Sequence, residues 1–127
     1  MVTTESGTEK FVTLASNGRT TIQLDAPLAK GGGGMGFGPH ELLEASIGAC
    51  INMAVRMHAL AHQIPLEGVA SSVRIVRPDA ATVRFEHTLD LRGPLTHAQR
   101  EALTVAAATC PVRQTLSRRI DFQPWTT

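Results

Sequence analysis

An α+β domain is predicted from three observations. Residues 69–76 and 82–91 alternate apolar and polar side chains with a period of two, the pattern of half-buried strands. Residues 39–62 and 96–109 repeat their apolar side chains at helical spacing instead. The order is strands, helix, strands, helix, short helix, tail, which suits helices packed against antiparallel sheets.

Each element has a local reason. Residues 1–9 are polar and are expected to fray. Residues 10–16 read as a strand, and Asn17-Gly18 as a hairpin turn, because both residue types tolerate positive φ. Residues 19–25 return, with Thr20, Ile22 and Leu24 on one face, and Pro27 ends the strand. Residues 30–38 hold six glycines in nine positions and read as a flexible loop. Pro39 suits the first turn of a helix that runs to His62, with Glu41 and Glu44 near its positive end.

Pro65 and Gly68 close that unit. In the next pair of strands, Val83, Phe85, His87, Leu89 and Leu91 share one face, and Pro78-Asp79 marks the turn. The one-sided apolar face of this hairpin needs the helices as a cover. Thr96 and Gln99 form a capping box for the second helix. Leu103, Ala106, Ala107 and Cys110 lie on one stripe of it. Pro111 cannot continue that helix but can start a short one over 111–118, capped by Cys110. Ile120, Phe122 and Trp125 suggest a closing extended segment.

A length of 127 residues predicts one domain, 1–127. The net charge of +1 is too balanced for an electrostatic nucleic-acid binder, and no stretch of 18 apolar residues predicts a membrane span. The first residues lack the basic and apolar regions of a secretory signal. A cytoplasmic location is therefore expected, with both cysteines as thiols or a transient functional pair.

The candidate chemistry rests on few residues. Cys50 and Cys110 are sixty positions apart, which is no zinc spacing. Taken alone, each fits a small core residue as well as a nucleophile. Cys110 at a helix start would feel amide dipoles that favour its thiolate, whereas Cys50 lies mid-helix and needs a cation from elsewhere in the fold. Met53, Ala54, Met57 and Ala61 continue the Cys50 face, as core or as an apolar wall beside a reactive sulfur. The glycine cluster lacks the pattern of a phosphate loop. His58 and His62 stand one helical turn apart but have no third ligand in view, so no metal site is expected.

Two motifs together carry a resemblance. Pro39-His40-Glu41-Leu42-Leu43 through Gly48-Ala49-Cys50 resembles the Pro-x-Glu-Leu-Leu…Gly-x-Cys helix of the OsmC/Ohr family, the osmotically inducible and organic hydroperoxide resistance proteins. Cys110-Pro111-Val112 through Leu116 resembles that family's Cys-Pro-Val…Leu motif. The likeness spans roughly residues 18–122, on the broader OsmC-like branch.

The resemblance implies an intertwined homodimer with antiparallel sheets wrapped around two central helices. It implies a thiol peroxidase that reduces organic hydroperoxides, with Cys50 peroxidatic and Cys110 resolving, in oxidative-stress defence. It also implies regeneration by an external dithiol of the lipoyl type, with no bound cofactor. Met53 and Met57 would contact substrate. Glu41 matches the family acid that holds the first thiolate. It lies nine residues from Cys50, about 13.5 Å along one helix and half a turn round it, so it would have to come from a second subunit. Arg19 is the nearest arginine for the family's cation, or a plain surface residue beside its turn. The alternative is the same dimer without catalysis, binding a small apolar ligand or a partner.

Overall fold

The structure is a computed structural model and describes residues 1–125. The chain divides into two compact units, Met1–Leu43 and Glu44–Thr127.

In the first unit, β1 (Thr3–Ser6), β2 (Thr13–Ser16) and β3 (Thr21–Leu24) form an antiparallel sheet in that order. The expectation that residues 1–9 fray fails at β1, where Thr3 pairs with Ser16 and Ser6 with Thr13. All four side chains of β1 are exposed, so no apolar pattern announces the strand, and the backbone ladder alone holds it. The turn after β2 is the expected one. Gly18 has φ +89°, and the Asn17 carboxamide oxygen accepts the N–H groups of Arg19 and Thr20, both at 3.0 Å.

The glycine cluster is a loop, but its backbone is pinned rather than free. The buried Asp25 carboxylate accepts N–H groups from Ala26 (2.7 Å), Gly33 (3.0 Å) and Met35 (3.1 Å). Gly36 has φ +98°, and a Cβ there would lie 2.4 Å from the Gln23 carbonyl oxygen. Glycine is needed here for close approach.

The helix α1 (Pro39–Ala61) starts where Pro39 predicts and supplies the core of the second unit. Ile47, Ile51, Val55 and Ala59 form its buried stripe, which joins Leu103, Ala107 and Cys110. Val69, Val73, Phe85, Leu89 and Leu91 of the hairpin β4 (Gly68–Asp79) and β5 (Thr82–Arg92) pack against that core, as the one-sided strand pattern requires. Polar contacts fix the helix on the strand: Glu44 accepts the Ile75 N–H at 2.8 Å, and Asn52 donates to the Val69 carbonyl at 3.0 Å. Glu44 therefore does more than face a helix dipole.

The β4–β5 turn falls later than Pro78-Asp79. Both residues lie in β4, at an irregularity between Val76 and Asp79 where a proline without an N–H is tolerated. Ala80 and Ala81 make the turn, and the Asp79 carboxylate accepts the Ala81 N–H at 2.8 Å. That N–H bond, with help from Thr82, holds the Asp79 carboxyl below its ordinary pKa.

The helix α2 (His97–Ala107) carries the expected capping box, with Thr96 Oγ1 accepting from the Gln99 N–H and Gln99 Oε1 from the Thr96 N–H. The short α3 (Pro111–Leu116) follows with Cys110 at its N-cap and ends two residues before the expected Arg118. Ile120, Phe122 and Trp125 form no strand; all three are exposed and join no ladder among the described residues.

Candidate active site

Packing brings the two cysteines together at the N-terminus of α3. The first amides of a helix have no partner inside it. Pro111, at the first helical position, has no N–H to satisfy. The next two amides face sulfur: the Val112 N–H lies near enough to Cys50 to favour its thiolate, and Arg113 donates to Cys110 Sγ at 3.4 Å. The Cys50 thiol lies close enough to Cys110 for that thiol to bias its ionisation. Cys110 is fully buried, whereas Cys50 is half-buried, and both are free thiols.

Burial pushes the Cys50 thiol above its ordinary pKa, and the neighbouring Cys110 pushes the same way. The Val112 N–H opposes them by favouring thiolate. Among the described residues, no lysine or arginine lines the cleft onto which Cys50 opens.

That cleft has a volume of about 780 Å³. A second apolar stripe of α1, distinct from the core stripe, forms one wall with Cys50, Met53, Ala54 and Met57. Val105 and Ala106 of α2 and Val112 of α3 form the other. Met53 and Met57 are 55% and 67% exposed, so this face of α1 is a wall rather than core.

The other expected site residues belong to the first unit. Glu41 is exposed and its carboxylate accepts the Gly38 N–H at 3.1 Å, which ties down the start of α1. Arg19 is exposed in the β2–β3 turn. The His58 and His62 rings stack with centroids 4.2 Å apart. Among the described residues, no group of three or more His, Cys, Asp or Glu side chains is placed to hold a metal ion. No helix among them is long and apolar enough to cross a membrane.

The sequence reading missed the Val112 N–H. The signal was present in Cys110-Pro111, because a proline at the first helical position leaves the next amide as the first free donor.

No curated protein matches this chain. Several solved structures share its fold. An OsmC-like protein from Mycoplasma pneumoniae has a TM-score of 0.75 at 20% identity, over 91% of this chain and 85% of that one. An organic hydroperoxide resistance protein OsmC from Legionella pneumophila has a TM-score of 0.64 at 24% identity, over 92% of this chain and 89% of that one. The organic hydroperoxide resistance protein OhrB of Bacillus subtilis has a TM-score of 0.63 at 20% identity, over 95% and 92%. The family profile described as OsmC-like protein matches residues 31–124, a span that holds both cysteines, the helices α1 to α3 and the β4–β5 hairpin. With that match over most of its length, the chain belongs to the OsmC-like protein family.

Proposed function

We propose that this protein is a cytoplasmic thiol peroxidase that reduces organic hydroperoxides in oxidative-stress defence. The observation that carries this reading is the pairing of the sulfurs: Cys50 opens onto an apolar cleft and lies close enough to the buried Cys110 for that thiol to bias its ionisation. The Cys50 thiolate attacks the terminal peroxide oxygen. The O–O bond breaks, the alkoxide leaves and takes a proton as alcohol, and Cys50 becomes a sulfenic acid. The Val112 N–H stabilises the thiolate that begins this step. Cys110 then attacks the sulfenic sulfur, hydroxide leaves as water, and a disulfide forms. An external dithiol of the lipoyl type exchanges with it and restores both thiols.

In this reading the working form is an intertwined homodimer. Glu41 of the partner subunit and Arg19 complete the thiolate's surroundings and counter the upward push on Cys50. Met53 and Met57 hold the apolar part of the substrate.

The test is intact mass and free-thiol count before and after one equivalent of cumene hydroperoxide without reductant. Loss of both thiols and of about 2 Da, the two hydrogens of a thiol pair joined as a disulfide, is the expected result. Two thiols surviving would overturn the proposal.

One observation favours a second reading, a dimer that binds a small apolar ligand without catalysis: the contacts of Cys50 raise its pKa. A raised thiol pKa leaves less thiolate at neutral pH, and that fraction grows about tenfold per pH unit until the group titrates. The second reading therefore expects Cys50 alkylation by iodoacetamide to climb steadily from pH 6 to 8. A plateau reached below pH 7 would mean that a cation activates Cys50, and the binding reading would fall.

A further inference from the structure

Three sulfurs gather at one end of the cleft, and the peroxide chemistry uses only two. Cys50 lines the cleft and packs against the buried cluster that contains Cys110. Thr109 and Pro111, on either side of Cys110, line the same cleft. The third sulfur comes from α1 itself. Met53 lines the wall one helical turn after Cys50, where Cβ atoms on one face stand about 5–6 Å apart. Helical side chains lean toward the N-terminus of their helix, so Met53 leans toward Cys50. Its unbranched chain is 55% exposed and has room to swing the thioether onto that sulfur.

The other donors on this wall are too distant to join them. Met57 lies about 10.5 Å and His58 about 12 Å from Cys50 along the helix axis. Among the described residues, no aspartate or glutamate lines the cleft. Zn(II) asks for a full tetrahedron of thiolate, imidazole or carboxylate ligands, which this end of the cleft does not supply. Cu(I) accepts linear and trigonal sets, and thiolate and thioether are the donors that select it.

We propose that Cys50, Cys110 and Met53 form a binding site for Cu(I), with two thiolates and one thioether. On binding, each thiol releases its proton to solvent and forms a sulfur–copper bond, and the copper keeps its oxidation state. The complex carries a net negative charge, and the Arg113 N–H that donates to Cys110 Sγ at 3.4 Å faces it. This inference goes beyond the peroxide chemistry and does not depend on it. The same sulfurs cannot serve both at once, so bound Cu(I) would block attack on a peroxide.

The test titrates the reduced protein, without oxygen, against the Cu(I) complex of bathocuproine disulfonate, and reads the bound copper by X-ray absorption. One Cu(I) per chain with three sulfur neighbours is the expected result. Cys50→Ser and Cys110→Ser should each abolish uptake. Met53→Leu, a change of similar volume on an exposed wall, should weaken binding about tenfold, as for one lost weak ligand, and leave two sulfur neighbours. Excess Zn(II) should not displace the copper. No uptake from the competitor, uptake that survives Cys110→Ser, a Met53→Leu affinity equal to the parent's, or displacement by Zn(II) would overturn the proposal. No step of this readout uses a peroxide. A protein inert to cumene hydroperoxide that still takes Cu(I) through these three sulfurs would sink the peroxidase reading and leave this one standing.

Discussion

Cys50→Ser protein is expected to lose peroxide-driven thiol oxidation and turnover by at least ~1,000-fold, because a hydroxyl is a far weaker nucleophile than a thiolate. Substrate consumption followed in the presence of a dithiol checks this. Cys110→Ser should behave differently. The first step uses only Cys50, so this variant should still consume about one equivalent of hydroperoxide and then hold a sulfenic acid that dimedone traps. The pair of outcomes separates attacking from resolving sulfur. Unchanged turnover in Cys50→Ser would remove Cys50 from the mechanism, and a trapped adduct at Cys110 in the unmodified protein would reverse the two roles. The reversal has a physical basis to test, since burial and the charge of Cys110 both oppose ionisation of Cys50.

Leu103→Ala is expected to give the largest loss of stability among single core truncations. Leu103 is 0% exposed and sits in the cluster formed with the Ile47, Ile51, Val55 and Ala59 stripe of α1. Removing its buried methyl groups costs transfer free energy and leaves a cavity, together about 3–5 kcal/mol. For a chain of this size that corresponds to roughly 10 °C or more in Tm. Thermal unfolding with free-thiol counting checks both the size of the loss and its consequence. Cys110 belongs to the same cluster, so loosening the core should also speed its alkylation. A variant within about 1 kcal/mol of the parent would mean that the site collapses around the missing side chain.

The parts of the fold legible from residues alone were those set by short-range rules. The capping box at Thr96 and Gln99, the Asn17-Gly18 turn and the helix start at Pro39 each depend on side chains within four positions of one another. The alternation in 82–91 is equally local, and its inward residues Phe85, Leu89 and Leu91 do reach the core. Where local signals competed, the reading slipped. Pro78-Asp79 looks like a turn, but β4 runs through both residues, and its pairing resumes at Asp79 before Ala80 and Ala81 reverse the chain. β1 has no buried side chain at all, so hydropathy could not mark it.

The candidate site divides in the same way. Two cysteine motifs in the right order were visible as text, and the match to the OsmC-like family over residues 31–124 rests on a stretch that includes both. The sequence by itself also determined that Cys110 caps a helix and that Pro111 leaves the following amides as the first free donors. Only the tertiary structure decided that one of those amides serves Cys50, a residue sixty positions away. It also decided which of two apolar stripes on α1 is core. The stripes 47/51/55/59 and 50/53/54/57 are both apolar, and a helix with apolar residues over much of its circumference does not announce which face is covered. Packing against β4, β5 and α2 took the first stripe and left Met53 and Met57 beside the cleft. Hydrogen bonds between distant segments and the choice of buried face are properties of the packed chain, because no residue pattern within a few turns contains the partner that makes them.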